Sequence, residues 1–266
     1  AYRRAVKRKP HFFELWNNLG TALLVAGKHK GAVKALKRAV KMQPKDYSGW
    51  LNLGLAHEGA GELPEAARAL ERAATLAPAE PDTHLALGDV LKKLKRYAAA
   101  LKAYNECAQR RPRDVYARLS AVMMLTKLNR EADALAALAK AAKIAPRSAR
   151  VPAVRGMVLL HFKGYKKAVT AFAAAVKLKP RGIGFLLMLG RAQLAAKQYR
   201  SAAATLRRTQ TLSRGKVRVV MFYLAEAYRK QGLCRKAKPL YKAYVSRSKG
   251  GPLAKQAAAH LKRCRR

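Results

Sequence analysis

Prolines stand at positions 10, 44, 78, 112, 146 and 180, each 34 residues after the one before. Proline lacks the amide donor that a helix interior needs and clashes with the preceding turn, so the series marks the ends of regularly spaced helices. Other positions keep the same phase. Trp16-x-x-Leu19-Gly20 recurs as Trp50-x-x-Leu53-Gly54 and His84-x-x-Leu87-Gly88, with a weaker echo at Leu186-x-x-Leu189-Gly190. Small residues follow at Ala32, Ala66, Ala100, Ala134, Ala168 and Ala202. Large ones come four later, at Leu36, Leu70, Tyr104, Leu138, Phe172 and Leu206. A second small set stands at Ala39, Ala73, Cys107, Ala141 and Ala175, while Val122 takes the glycine position of the fourth repeat. Small side chains suit places where two helices cross closely, and the bulky residue between them fills space toward the neighbouring hairpin. Gly27, Gly61 and Asn129 permit tight turns. One such hairpin leaves an apolar face open, and stacking buries it.

This period and pattern resemble the tetratricopeptide repeat family over nearly the whole chain. The resemblance implies an all-α fold, a right-handed superhelical solenoid of stacked antiparallel helix hairpins with a C-terminal capping helix. Repeats are expected at 13–46, 47–80, 81–114, 115–148, 149–182, 183–216 and 218–251. The last resumes at Tyr223-Leu224-Ala225-x-x-Tyr228 and Ala237 after a one-residue insertion. Residues 1–12, with Tyr2, Ala5 and Pro10 in phase, read as the second helix of a truncated repeat, and 252–266 as the closing helix. The opening AYRRAVKRKP lacks Met and is already in helical pattern, as if cut from a longer polypeptide. No run of about 18 apolar residues is present to span a bilayer.

Charge is the outlier of the composition: 57 Lys and Arg against 14 Asp and Glu, a net of +43. Residues 13–80 are nearly balanced, whereas residues 134–266 hold 32 basic residues and the single acid Glu226. A surface so charged repels itself and attracts a polyanion, whether nucleic acid, anionic lipid or polysaccharide, or an acidic protein.

Catalysis needs convergent polar groups with tuned protonation. The histidines at 11, 29, 57, 84, 161 and 260 show no metal-ligand spacing, and His84 occupies a tryptophan position where packing is its expected role. There is no Walker-type glycine loop and no triad-like context for Ser or Thr, and paired carboxylates are unavailable after Asp133. The chain reads as a non-enzyme without cofactor or metal. Cys107, at a small-residue position, reads as a buried thiol. Cys234 falls at the tip of the last hairpin and Cys264 near the end of the closing helix. Two antiparallel runs of about 14 residues, roughly 21 Å each at helical rise, would return Cys264 beside Cys234. A disulfide there would imply an oxidising, exported or periplasmic compartment; two unrelated surface thiols would leave a cytoplasmic one open.

The family resemblance further implies that the first helix of each hairpin lines a concave groove. The positions it assigns to that groove hold Asn17, Thr21, Leu51, Leu55, Leu85, Asp89, Leu119, Met123, Ala153, Met157, Leu187 and Arg191, with Lys92, Lys93, Lys127, Leu160 and His161 further along. Leucine and methionine in its middle suit a protein partner's amphipathic helix or extended peptide. The family's clamp for acidic chaperone tails is not expected: of Asn17, Thr21, Asn52, Asp82 and Ala86, only Asn52 matches its pattern. The cations map mostly to second helices and turns, at Lys166, Lys167, Lys177, Lys179, Arg181, Arg207, Arg208, Arg235, Lys236, Lys238 and Lys242, and continue through Lys262, Arg263, Arg265 and Arg266. A non-catalytic scaffold is expected, with a protein partner in the groove and an acidic assembly or surface on its basic exterior. Non-specific nucleic-acid binding through the basic C-terminal half and attachment to an anionic membrane or polysaccharide are the alternatives.

Overall fold

Every element among the described residues is helical. The computed structural model describes residues 2–9, 11–248 and 250–264, with backbone alone at 3, 5 and 7. Pro10, Arg265, Arg266 and the side chain of Ala5 therefore lie outside the described residues. The chain divides into two compact units, residues 1–137 and 138–266.

Unit 1 contains α1 (Tyr2–Arg8), α2 (Phe13–Val25), α3 (His29–Met42), α4 (Tyr47–Ala60), α5 (Leu63–Leu76), α6 (Pro81–Lys93), α7 (Tyr97–Arg110) and α8 (Val115–Lys127). The boundary falls inside α9 (Glu131–Ile144). Unit 2 continues with α10 (Arg150–His161), α11 (Tyr165–Leu178), α12 (Ile183–Ala195), α13 (Tyr199–Leu212), α14 (Val219–Lys230), α15 (Cys234–Arg247) and α16 (Pro252–Arg263). In unit 1, α2–α3, α4–α5 and α6–α7 pair as hairpins that stack in chain order, with α8 on α7. In unit 2, α10–α11, α12–α13 and α14–α15 do the same, and α16 packs on α15.

The periodic small residues are fully buried at Ala32, Ala66, Ala100, Ala168 and Ala202. The large residue that follows was expected to face the neighbouring hairpin, but it first meets the glycine of its own. A Cβ on Gly54 would lie 2.5 Å from Leu70, one on Gly88 2.8 Å from Tyr104, one on Gly156 2.6 Å from Phe172 and one on Gly190 2.6 Å from Leu206. Leu70 then reaches onward to Val90 and Leu91 of α6. The glycine is thus a notch that lets a large side chain cross at the closest point of the hairpin. Gly54→Leu is expected to lower stability by about 1–3 kcal/mol through overpacking, read as an earlier urea midpoint.

The tryptophan position has a polar duty beyond packing. Trp50 Nε1 donates to the Pro44 carbonyl at 3.0 Å, His84 Nε2 to the Pro78 carbonyl at 2.9 Å, and Arg118 Nε to the Pro112 carbonyl at 3.3 Å. Three chemically different side chains tie a helix to the preceding inter-hairpin loop through the same kind of bond. A carbonyl can only accept, so His84 carries its proton on Nε2. Acidic N-caps complete these loops in unit 1: Asp46 accepts from the Gly49 amide at 3.0 Å and Asp114 from the Tyr116 amide at 2.7 Å. The first helices of unit 2 begin at Ala149, Gly182 and Arg218 without a side-chain cap. The missing caps at Ala149 and Arg218 each forgo on the order of 1 kcal/mol, and glycine at 182 only a few tenths. At the hairpin tips Gly27, Gly61 and Asn129 adopt positive φ as their residue types suggest. Lys95, Lys163 and Lys197 adopt the same left-handed backbone, although a Cβ disfavours it.

Candidate interaction surfaces

The first helices of unit 1 carry a row of partly exposed apolar side chains. Leu51 and Leu55 on α4, Leu85 on α6 and Met123 on α8 are half-buried. The inward parts of Leu51, Leu85 and Met123 pack on the cluster around Leu70, Val90 and Tyr104. Leu119, expected in the groove, is instead 5% exposed and belongs to the wall. It sits one helical turn before Met123, rotated far enough inward to be covered. Ala153 of unit 2 is buried too, in the cluster around Phe172.

The polar members of the row already have partners. Asn52 Nδ2 donates to Asn17 Oδ1 at 3.0 Å, joining α4 to α2, and the exposed Thr21 hydroxyl donates to the Asn17 carbonyl. Asp89 accepts from the Tyr104 hydroxyl at 2.7 Å, the Tyr116 hydroxyl at 3.3 Å and Lys92 Nζ at 2.5 Å. Burial and the Asp89 carboxylate push the Tyr104 hydroxyl well above its ordinary range. Lys93 pairs with Glu58 at 2.8 Å, and Asp82 with Arg111 at 2.8 Å. In unit 2, Met157 and Leu187 are half-buried, and the exposed Arg191 lies over the Tyr223 ring with 5.1 Å to its centroid.

Most of the described cations of unit 2 face solvent. Lys166, Lys167, Lys177, Lys179, Arg181, Arg207, Arg208, Arg235, Lys236 and Lys242 are exposed, and Lys238 is half-buried. Arg207 donates to the Tyr228 hydroxyl at 2.6 Å and Arg208 to the Pro180 carbonyl at 2.9 Å. Glu226 does not offset this field at the surface. Its side chain is 13% exposed, and it accepts from Arg229 (2.9 Å), His260 Nδ1 (2.5 Å) and the Tyr241 hydroxyl. Burial alone would raise the Glu226 carboxyl. The hydrogen bonds from Arg229 and Tyr241, with the charges of Arg229 and His260, outweigh it and hold the group below the usual carboxylate range. Burial and Glu226 in turn raise the Tyr241 hydroxyl. This hub ties α14 to α15 and α16. The sequence singles Glu226 out as the sole acid of a long basic stretch, which was its only visible signal.

Cys234 and Cys264 are joined by a disulfide with Cα atoms 5.4 Å apart. It fixes the end of α16 to the start of α15. Cys107 is a buried free thiol, and burial raises its pKa. Among the described residues no three His, Cys, Asp or Glu side chains gather as a metal site, and no helix is long and apolar enough to cross a membrane.

Tetratricopeptide-repeat family profiles match residues 1–34, 18–81, 85–149 and 155–216, and a second profile of the same description matches 219–249. The chain belongs to the tetratricopeptide repeat family. Its solved relatives share the solenoid fold at low identity. Over 96% of this chain and 99% of the other, it resembles a tetratricopeptide repeat protein from Parabacteroides merdae (TM-score 0.75, 17% identity). Yeast Tom70 is similar over 99% of the chain (TM-score 0.72, 16% identity), of which this chain spans 57%, little more than half. YrrB, a tetratricopeptide repeat protein with an unusual peptide-binding site, is similar over 74% of this chain and 98% of its own (TM-score 0.60, 19% identity). Among curated proteins no sequence is matched. Tetratricopeptide repeats are generally repeat scaffolds that bind protein partners.

Proposed function

We propose that this tetratricopeptide protein is a non-catalytic adaptor with two separate kinds of docking surface. The first-helix rows hold a protein partner's amphipathic helix or extended segment, and the basic surface of unit 2 engages a polyanionic assembly or surface. The row of half-buried Leu51, Leu55, Leu85 and Met123 carries the first part, because each side chain keeps apolar area open while the core holds the bases of Leu51, Leu85 and Met123. The peptide-binding site named for YrrB supports the same use of the fold. The second part rests on 32 cations in unit 2 with no exposed side-chain carboxylate among its described residues.

Peptides selected from a display library on the immobilised chain test the row directly. Leu85→Glu together with Met123→Glu is expected to weaken the selected peptides at least tenfold at both 50 and 500 mM salt. Unchanged affinity would remove the row from the binding surface. Charge reversal at Arg235, Lys236, Lys238 and Lys242 should leave these peptides bound while weakening polyanions, and loss of both together would contradict the division into two surfaces.

A further inference from the structure

Within unit 2 the turns α10–α11, α12–α13 and α14–α15 lie in register along one edge, because consecutive hairpins stack in parallel. That edge presents Lys166 and Lys167, then Lys197 and Arg200, then Arg235 and Lys236, all exposed. The Cys234–Cys264 disulfide adds to it. By holding the end of α16 against the start of α15, it brings the exposed Lys262 and Arg263 to the same edge. Apolar groups stand between the cations: Leu233 is 40% exposed and Tyr165 37% exposed. Between the second and third turns opens a cleft of about 590 Å³. Lys197, Arg200, Ser201 and Gln231 line it together with Tyr199 and Leu233, and no carboxylate does. Gln231 Nε2 donates to the Tyr199 carbonyl at 3.0 Å and so braces the two turns across the cleft.

We propose that this hairpin-tip edge docks on a bilayer surface rich in anionic phospholipid, with the cleft receiving a headgroup phosphate. The inference rests on taking the basic surface of unit 2 as a docking surface and names its partner. Three features favour lipid over nucleic acid. Aromatic and aliphatic side chains interleaved with Lys and Arg match the bilayer interface, which takes up both kinds of group, whereas a phosphate backbone gains nothing from Leu233. A disulfide persists in oxidising compartments and is rare in the cytosol and nucleus, where nucleic acid is concentrated. The ligating turns also lie in one row along a single edge, suited to a plane. Several basic residues near an anionic leaflet suffice for reversible binding that falls with salt.

Flotation with vesicles of phosphatidylglycerol and phosphatidylcholine, against pure phosphatidylcholine, tests the proposal on the oxidised full chain. Binding to the anionic vesicles alone is expected, falling at least tenfold between 50 and 300 mM salt. The variant Lys197→Glu/Arg200→Glu/Arg235→Glu/Lys236→Glu should lose at least tenfold. Lys177→Glu/Lys179→Glu/Arg181→Glu/Lys216→Glu carries the same charge change away from the tips and should lose less than threefold. Leu233→Ser, which changes no charge, should lose at least threefold on vesicles while keeping its helix content by circular dichroism. Equal losses from the two charge variants would overturn the edge. Tip-dependent binding of single-stranded RNA without binding to anionic vesicles would overturn the choice of lipid. Leu85→Glu should bind vesicles as the parent does, so failure of the groove and failure of the edge are told apart.

Discussion

Replacing Glu226 with alanine is expected to destabilise the protein by about 3–5 kcal/mol, the usual effect of removing one member of a buried charged pair. The carboxylate is the common acceptor for Arg229, Tyr241 and His260. Its removal leaves a 21% exposed guanidinium and a buried phenol and imidazole without their partner. The donors come from three helices, so the loss loosens α15 and α16 together. Urea unfolding followed by far-ultraviolet circular dichroism would show the earlier midpoint. The sign with pH is set by the lowered carboxyl. A group that titrates lower when folded stabilises fully above its unfolded value of about 4.3, and that stabilisation disappears as pH falls through the folded value. Glu226→Gln should therefore be less stable than the parent at pH 7 and lose less on acidification. A parallel acid dependence in both proteins would show that the hub contributes nothing to it.

Cutting the Cys234–Cys264 bond, by reduction or as Cys264→Ser, is expected to lower stability by about 3–4 kcal/mol. That is the loop-closure estimate for two cysteines 30 residues apart. It corresponds to a fall of roughly 10 °C in Tm for a protein of this size. The terminal hairpin has reason to depend on the bond. Pro239 lies inside α15 and removes one of its backbone hydrogen bonds, and among the described residues α16 packs chiefly on α15. Thiol titration separates the outcomes: denatured protein without reductant should show one reactive thiol, Cys107, and three after reduction. Three thiols before reduction would show that the bond is absent. Because Glu226 and the disulfide both hold α16, their effects should fall short of additive, and a double-mutant cycle measures by how much.

The helices and the burial of their crossing positions were legible in the sequence. Alanines such as Ala32 and Ala66 repeat with helical spacing, and prolines close each period just past a helix end, so local chain physics is repeated until it cannot be missed. Finer features of the interaction rows were not. Leu119 and Met123 share a helix face to within a turn, yet one is covered and the other half open, because neighbouring helices decide where the shadow falls. Asp89 looked like a groove residue but already serves two tyrosines and a lysine, one of them 27 residues away. The shared duty of Trp50, His84 and Arg118 was hidden because three unlike side chains supply one kind of donor.

What this sequence determined by itself is a stack of hairpins and a strongly basic C-terminal half, since periodicity and charge are properties of residues in order. Only the tertiary structure decided that the large residues rest on glycine notches in their own hairpins. It alone gathered Glu226, Arg229, Tyr241 and His260 into a hub, and decided between the Cys234–Cys264 disulfide that the helix lengths allow and two separate thiols. Beyond the local Glu226–Arg229 pair, the hub and the notches join residues 15 to 34 positions apart through contacts whose geometry depends on how whole helices pack.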